Sequence, residues 1–450
     1  MASHLPPAVA ASALYDSFLQ AALRQFFARA AFETQPVLSA SSDGRLSIEP
    51  TSDPSELTIR WFGMRHTLHV PARRPFTPHE VRMARAIGSV LAARYRAIFD
   101  PRLMASRGDL FRGAIEDRYV GAFLTGEYSL NERNGRADTV ATAIEVLRVA
   151  ALSSYENKAI SSGALLLDTE ADPVASARTA PPGASPYTPA LTAIKSFYRL
   201  CDGVNTVFLV NRSGLVLDIV EIARWAGVRS EAALQIPTAL PYVSHAGATR
   251  LGEFCIVLSP SHEIKVFAEG VQMFTFRNAN WELLDIGAKY EMWAEAVGSR
   301  PLAERLFQTA LDLSDARRGA LFVLLRDPQQ AVGQLVAPAD RLDTMAEPVT
   351  ARTSPSRRDL MYLLAGRTAL DMDRTVLEAL ATMDGATVVD RDGRLLAVGA
   401  ILMHPTIPHE VIVEGARTTA AIAAAQYGPV LKVSEDGAIT FYEKEKIWEI

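Results

Sequence analysis

The sequence predicts an α/β protein in which one design is used twice. A mixed β-sheet flanked by helices is expected in the C-terminal unit and in a degenerate upstream copy, after a small α+β module. Two observations predict this fold. Segments with helical periodicity alternate with short apolar strands, and five short sequence segments of the upstream unit recur in the same order in the C-terminal unit. The predicted domains are an α+β module at 1–137 and α/β units at 138–297 and 298–450. Three domains suit 450 residues at roughly 150 residues each.

Composition excludes several classes of protein. The net charge of −5 argues against a broadly basic surface for nucleic acid. No run approaches the roughly 18–20 apolar residues that cross a bilayer, and the first residues lack the basic segment of a signal peptide. Cys201 and Cys255 are too few for a disulfide framework or a Cys-rich zinc site. We therefore expect a cytoplasmic protein that binds neither nucleic acid nor membrane.

The first module reads as helix, strands and helix. Residues 10–30 have helical periodicity, and residues 57–70 are β-branched and aromatic around a Gly-containing turn. A long amphipathic helix is predicted over about 78–98, after two prolines. This module offers no residues that suggest chemistry.

The duplication rests on paired segments. Residues 142–168 resemble residues 302–324, and each leads through a polar turn to Gly-Ala-Leu and an apolar strand. Asp202-Gly203 and Asp384-Gly385 follow, and each precedes two strands joined by an Asn/Asp-Arg-x-Gly turn. The other landmarks pair 247–250 with 415–417, 254–267 with 429–441, and Trp281-Glu282-Leu283 with Trp448-Glu449-Ile450. Five landmarks in one order favour duplication over a helix–strand order shared by chance.

Three blocks of the C-terminal unit suggest a nucleotide site. The glycine and alanine of Asp384-Gly385-Ala386 let the backbone approach a ligand, while the carboxylate can accept from a ribose hydroxyl or hold a cation. Gly415-Ala416-Arg417 opens an Ala-rich helix, so free amides and a guanidinium can meet a phosphate. Ser434-Glu435-Asp436 ends an apolar strand, where α/β proteins often place ligand contacts. Singly, these blocks are ordinary turns or helix starts; together they favour a nucleotide site.

The same blocks, with Gly319-Ala320-Leu321, resemble the diadenylate cyclase (DAC, DisA-N) family over about residues 301–445. The resemblance is to a divergent, sensor-type (DACNV-like) member. It implies that the Asp of the Asp-Gly-Ala block is an active-site acid, and that an Arg-His-Arg triplet with neighbouring hydroxyls binds the ATP phosphates. In that family two protomers face each other and join two ATP molecules into cyclic di-AMP.

This chain departs from the family at three places. Arg-His-Arg is Arg417-Thr418-Thr419, the His before the Asp-Gly-Ala block is Met383, and the second strand-end acid is Asp436 instead of Glu. Losing cations aimed at developing negative charge costs on the order of 100-fold in rate, whereas Thr hydroxyls still bind phosphate. His404 and His409 precede the Gly415 block and could supply an imidazole, although exposed loop histidines are common.

We therefore expect a nucleotide-binding sensor with impaired catalysis. The predicted ligand is an adenine nucleotide or a cyclic dinucleotide, with Mg²⁺ or Mn²⁺ as a possible companion. The predicted binding residues are Asp384, Gly385, Ala386, Gly415, Ala416, Arg417, Thr418, Thr419, Ser434 and Glu435. With no effector recognisable in the chain, a separate effector protein or a homodimer is expected. The first copy has no acid pair at its strand end and is expected to be a scaffold.

Two other functions remain open. One is a divergent diadenylate cyclase that makes cyclic di-AMP from two ATP, with Asp384 and Glu435 as its catalytic residues. The other is an interaction protein that keeps the fold but has lost the pocket.

Overall fold

The chain folds into two compact units, described here from a computed structural model. The first unit comprises Met1–Leu234 and Pro241–Asp285, and the second comprises Gln235–Leu240 and Ile286–Ile450. The domain boundaries at 137/138 and 297/298 stay predictions. The structure describes residues 7–27, 30–37, 46–70, 74–126, 128, 130, 135–155, 158–168, 181–194, 196–229, 234–342, 357–403 and 415–450.

The first unit begins with an antiparallel sheet of four strands covered by helices. The strand order is β1-β4-β3-β2, and Leu57, Ile59 and Leu68 are fully buried beneath the helices. The helix predicted over 78–98 begins after Thr77, which forms a capping box with Glu80. The elements are α1 (Pro7–Phe26), β1 (Ala31–Pro36), β2 (Ser47–Pro50), β3 (Glu56–Trp61), β4 (Met64–His69), α2 (Pro78–Phe99), α3 (Pro101–Ser106) and α4 (Ile115–Thr125).

The rest of the first unit is a mixed sheet of seven strands in the order β13-β12-β11-β10-β7-β8-β9. Its central strands are buried along their whole length, as expected of a sheet covered on both faces. The elements are α5 (Arg136–Ala151), β5 (Ser154–Tyr155), β6 (Lys158–Ala159), β7 (Ser162–Leu166), α6 (Phe197–Leu200), β8 (Thr206–Val210), β9 (Val216–Glu221), α7 (Ile222–Arg229), α8 (Val243–Gly247), β10 (Phe254–Leu258), β11 (Ile264–Ala268), β12 (Val271–Arg277) and β13 (Asn280–Leu283).

The second unit contains a mixed sheet of six strands in the order β16-β15-β14-β17-β18-β19. The elements are α9 (Ile286–Val297), α10 (Arg300–Asp315), β14 (Ala320–Leu324), α11 (Pro328–Leu335), α12 (Arg357–Met361), α13 (Arg374–Ala381), β15 (Ala386–Val389), β16 (Leu395–Ala400), α14 (Ala416–Ala424), β17 (Val430–Val433), β18 (Ile439–Glu443) and β19 (Glu445–Glu449). One face of this sheet forms a buried cluster with α11 and α14, to which Val323, Leu335 and Ala421 belong. The α/β fold class with mixed sheets in repeated units is confirmed.

The two mixed sheets share one topology. In each, the first strand lies parallel to the second, which turns back into an antiparallel edge strand. The other neighbour of each first strand is antiparallel and starts a meander. Even the bulges correspond, between Val266 and Phe267 in β11 and between Phe441 and Tyr442 in β18. The second sheet is therefore a repeat of the first, without the additional edge strand β13.

Local turns repeat with the topology. The Asn211 and Asp390 side chains accept hydrogen bonds from the amides of Leu215 and Arg394, at 2.9 and 2.8 Å. These bonds close the predicted hairpin turns, because Asn and Asp carry an acceptor that reaches their own backbone. Glu269 and Lys444, after β11 and β18, both have a positive φ although neither is glycine. Matching unusual conformations at matching positions support a common origin.

Three of the predicted correspondences are wrong in register. Trp281 lies on β13, whereas Trp448 lies on β19, which is equivalent to β12. Gly247 ends helix α8, but Gly415 is the N-cap of α14. When the two sheets are aligned on their hairpin turns, the Gly-Ala-Leu segments of β7 and β14 are offset from each other by two residues. A shift of two keeps every side chain on its face of the sheet, so the apolar pattern does not reveal it.

None of the helices in the described ranges is long and apolar enough to cross a membrane.

Candidate functional site

A cavity of about 390 Å³ opens in the second unit, where β14, β15 and β16 meet the start of α14. Its walls are mostly apolar, and its charged lining residues are Asp384 and Arg417. The residues lining it are Leu321, Asp384, Gly385, Ala386, Ala400, Ile401, Leu402, Ala416, Arg417, Thr419 and Ala420. Apolar walls with a few convergent polar groups are typical of small-molecule sites, which span roughly 300–1,000 Å³.

The Asp384-Gly385 turn requires glycine at its second position. Gly385 has a φ of +108°, and a Cβ there would lie 2.6 Å from the carbonyl oxygen of Ala400 on β16. The turn therefore lies directly against β16 where the chain enters β15, and Asp384, the residue before the glycine, is exposed at the cavity. No hydrogen bond or ion pair engages the Asp384 carboxylate within the described part of the chain. The carboxylate is therefore available to a ligand hydroxyl or a cation.

Helix α14 starts at the cavity without a side-chain cap. Its N-cap is Gly415, with a φ of +95°, so the amides of the first turn lack a side-chain acceptor. Arg417 lies in that turn, and its Nη1 donates to Oε1 of Glu435 at 2.9 Å. Because Glu435 is 73% exposed, this ion pair is weakly held. An anion of higher charge can take the place of Glu435.

Gly319 makes room for the Arg417 guanidinium. A Cβ at residue 319 would lie 2.8 Å from Cζ of Arg417 and closer still to Nη1. The absence of a side chain at Gly319 thus sets where the guanidinium lies.

We predict that Gly319→Ala lowers affinity for a phosphate-bearing ligand about tenfold, the contribution of one charged hydrogen bond, without destabilising the fold. The atoms in the way belong to the far end of a flexible side chain, which moves aside at little cost. Isothermal titration with ATP and thermal melting measure the two effects. The matched control is Gly333→Ala in α11, whose Cβ would meet Nη2 of Arg341, outside the cavity, at 3.3 Å. Unchanged ATP affinity in Gly319→Ala would contradict the role of Arg417.

The structure brings together only part of the predicted site. Six of the ten predicted residues line the cavity: Asp384, Gly385, Ala386, Ala416, Arg417 and Thr419. Gly415 and Glu435 lie beside it through the N-cap and the ion pair. Thr419 Oγ1 donates back to the Gly415 carbonyl at 3.2 Å, and the Ser434 amide closes the hairpin after β17. Their binding roles stay predictions, and His404 and His409 lie outside the described residues.

Lys432 is a residue that the sequence analysis missed. It lies on β17, directly opposite the cavity residue Leu321 on β14. Its Nζ donates to Oγ1 of the buried Thr418, at 3.0 Å. The signal in the sequence is a lysine within an otherwise apolar strand, Val430–Val433.

The described ranges contain no group of three His, Cys, Asp or Glu that could hold a metal ion by itself. The Asp384 carboxylate at the cavity fits a different arrangement. Mg²⁺ commonly takes one or two protein carboxylates and completes its shell with substrate phosphates and water. A metal here would therefore need further donors from a bound ligand or from water.

The corresponding turn of the first unit is closed upon itself. Oδ1 of Asp202 accepts hydrogen bonds from the amides of Val204, Asn205 and Thr206, at 2.7–3.0 Å. Partial burial alone would raise the pKa of Asp202, but these amides and the Asn205 side chain hold it below its ordinary value. This carboxylate is used by its own turn, in contrast to that of Asp384.

His245 of α8 packs against the same turn. It is fully buried, with Nε2 2.8 Å from the Gly203 carbonyl and Nδ1 without a partner among the described residues. Burial lowers its pKa to about 4, outweighing the Gly203 carbonyl and the Asp202 charge, which favour the protonated ring. A neutral, enclosed imidazole at this place fits the scaffold role expected of the first unit.

We predict that the first unit loses stability in mild acid through His245. The unfolded ring has a pKa of about 6.5 and takes up a proton that the folded unit excludes. Above pH 7 the neutral His245 ring costs the folded unit no stability. As the pH drops from 6.5 toward 4, the free energy of unfolding falls, and at pH 5 it is lower by about 2 kcal/mol. Hydrogen exchange of peptides from β7 and α8 at pH 7 and 5 measures this loss. His245→Gln should remove most of it, and an equal loss in the variant would contradict the assignment.

Comparisons with known proteins give only distant likenesses. No protein-family model matches the chain, and no curated protein is similar to it. Among solved structures, a hypothetical membrane spanning protein from Bacillus cereus is similar over 36% of this chain and 70% of its own, with 20% identity and a TM-score of 0.26. A double mutant of DacA from Staphylococcus aureus is similar over 33% of this chain and 86% of its own, with 15% identity and a TM-score of 0.22.

Proposed function

We propose that the second unit binds an adenine nucleotide or a nucleotide second messenger and that the protein is a nucleotide sensor. The observation that carries this proposal is the cavity in which Asp384 and Arg417, from separate sequence blocks, line one apolar-walled space. A nucleotide needs these elements together: an apolar surface for the base, an acceptor for the ribose and donors for the phosphates.

Each part of the ligand has a counterpart in the lining. The base packs against Leu321, Leu402 and Ile401, of which Ile401 is 66% exposed at the mouth. Asp384 accepts from a ribose hydroxyl or shares a divalent cation with the phosphates. The phosphates meet Arg417 and the uncapped amides of α14, where the helix dipole also favours an anion.

Binding without turnover suits this donor set better than catalysis. Phosphoryl transfer depends on neutralising charge at the phosphate oxygens in the transition state. In place of the family's Arg-His-Arg, this chain has one cation and two hydroxyls, and the Thr419 hydroxyl bonds within its own helix. A bound nucleotide would then act by shifting the protein between two conformational states that differ in affinity for an effector protein or a second copy of the chain.

A divalent-dependent diadenylate cyclase is the second candidate function. The observation that favours it is the exposed Asp384 carboxylate, which no described residue engages. Glu435 would be the other acid, although its ion pair with Arg417 occupies it in the absence of ligand.

Two measurements on the whole 450-residue chain test these functions. Isothermal titration with ATP and with cyclic di-AMP measures binding, and incubation with ATP and Mn²⁺ followed by chromatography measures product. Binding without product supports the sensor. Cyclic di-AMP that no longer forms in Asp384→Asn supports the cyclase and contradicts the sensor. No binding of either ligand at millimolar concentration contradicts both and leaves an interaction protein.

A further inference from the structure

We propose that Lys432 is the second cation of this site and makes it selective for a ligand with a chain of two or more phosphates. The inference rests on the proposed nucleotide site and names the class of ligand that it takes. It starts from a half-buried ammonium group beside the cavity, on a strand whose other residues are apolar.

The register of the sheet places Lys432 next to the cavity. Lys432 and Leu321 are paired residues on the antiparallel strands β17 and β14, so their side chains project from the same face. Paired residues of this kind have Cβ atoms about 5 Å apart. Leu321 lines the cavity, and α14 covers the same face through Ala421 and Ala424. Lys432 therefore lies beside the cavity residue Leu321, on the face of the sheet that the helix carrying Arg417 covers.

The hydrogen bond to Thr418 directs the ammonium toward the phosphate-binding turn. Nζ of Lys432 is 3.0 Å from Oγ1 of Thr418, which sits between the cavity residues Arg417 and Thr419. The lysine thus brings a positive charge to the first turn of α14.

Local charges show why this cation matters. Arg417 is offset by Glu435, and Asp384 adds a further negative charge at the cavity. Lys432 bonds to a neutral hydroxyl, and no carboxylate pairs with it among the residues that the structure describes. A half-buried charge without a counter-ion is unfavourable, so an anionic ligand that reaches the ammonium group gains a favourable charge pair. The flexible lysine stem allows the ammonium to leave Thr418 for a phosphate oxygen.

Two cations on neighbouring elements suit two phosphate groups. Arg417 and the α14 amides take one phosphate, and Lys432 takes the next. The structure therefore favours ATP or ADP over AMP, and AMP over adenosine.

Isothermal titration of the whole 450-residue chain with adenosine, AMP, ADP and ATP, each with Mg²⁺, tests this inference. Lys432→Gln keeps a donor for Thr418 but removes the charge, and we expect it to weaken ATP about tenfold and leave adenosine unchanged. Lys432→Arg should retain most of the ATP affinity. Lys444→Gln, which removes the exposed lysine between β18 and β19, is the matched control and should bind all four ligands as wild type does.

The outcomes separate the two proposals. If wild type binds none of the four ligands at millimolar concentration, the inference is wrong, and titration with cyclic di-AMP decides whether the nucleotide site itself is wrong as well. If wild type binds ATP and Lys432→Gln binds it equally well, the site stands and the role of Lys432 is wrong. The wild-type series is decisive even if the variant does not fold, because AMP binding as tightly as ATP would overturn a second phosphate site.

Discussion

Arg417→Met is expected to weaken ATP binding about 100-fold and to change adenosine binding less than twofold. Arg417 is the cavity residue that can donate two parallel hydrogen bonds to a phosphate, and such charged bonds are about twice as strong as neutral ones. A loss of 100-fold corresponds to about 2.7 kcal/mol. Adenosine has no phosphate, so its contacts with the apolar walls stay intact. Isothermal titration with both ligands measures the difference.

Two controls sharpen this prediction. Arg417→Lys keeps the charge without the planar fork, so it should fall between wild type and Arg417→Met. Arg326→Met removes an exposed arginine paired with Glu443, and it should bind ATP normally. An Arg417→Met protein that keeps wild-type ATP affinity would place the phosphates elsewhere and contradict the proposed site.

Gly385→Ala is expected to lower the free energy of unfolding of the second unit by about 3 kcal/mol or more. An alanine with a φ of +108° is strained by about 1–3 kcal/mol. Its Cβ would also lie 2.6 Å from backbone atoms of Gly399 and Ala400 on β16, which cannot rotate away as a side chain can. Relief requires β15 and β16 to separate, which also deforms the cavity. Hydrogen exchange of peptides from β14, β15 and β16 measures the loss.

Gly366→Ala measures the backbone strain of a positive φ separately from the steric clash with β16. Gly366 has a φ of +76°, but a Cβ there would meet nothing within 4 Å, so this variant carries the conformational strain alone. We expect it to cost about 1 kcal/mol, at the low end of the strain range. If Gly385→Ala costs no more than Gly366→Ala, the turn does not depend on close approach to β16.

Local chemistry made much of the repeat predictable. The Asn211 and Asp390 turns are recognisable because each side chain bonds its own backbone, which needs no tertiary contact. The helix after Thr77 is recognisable for the same reason, because its cap and proline lie within one turn. Register was less predictable, and Trp281 and Trp448 were matched although they lie on different strands of the repeat. A Trp-Glu-aliphatic segment suits any half-buried strand, so the residues alone do not indicate which strand it forms.

In the candidate site, too, some residues were predictable from local sequence and others depended on the tertiary structure. Asp384 and Arg417 were predicted from the glycines beside them, and both line the cavity. Glu435 and Ser434 were predicted with them, but the first contacts Arg417 and the second closes a hairpin turn. Whether such side chains face the cavity depends on distances between elements far apart in the chain.

The sequence by itself determined the α/β class, the repeated order of strands and turns, and the two blocks that border the cavity, because these follow from periodicity and short-range hydrogen bonding. Only the tertiary structure decided that the Asp202 turn is closed and the Asp384 turn is open. Only the tertiary structure placed Lys432 beside Thr418. That contact requires β17 to pair with β14 in one register while α14 crosses the same face, and no local pattern in the chain encodes such a crossing.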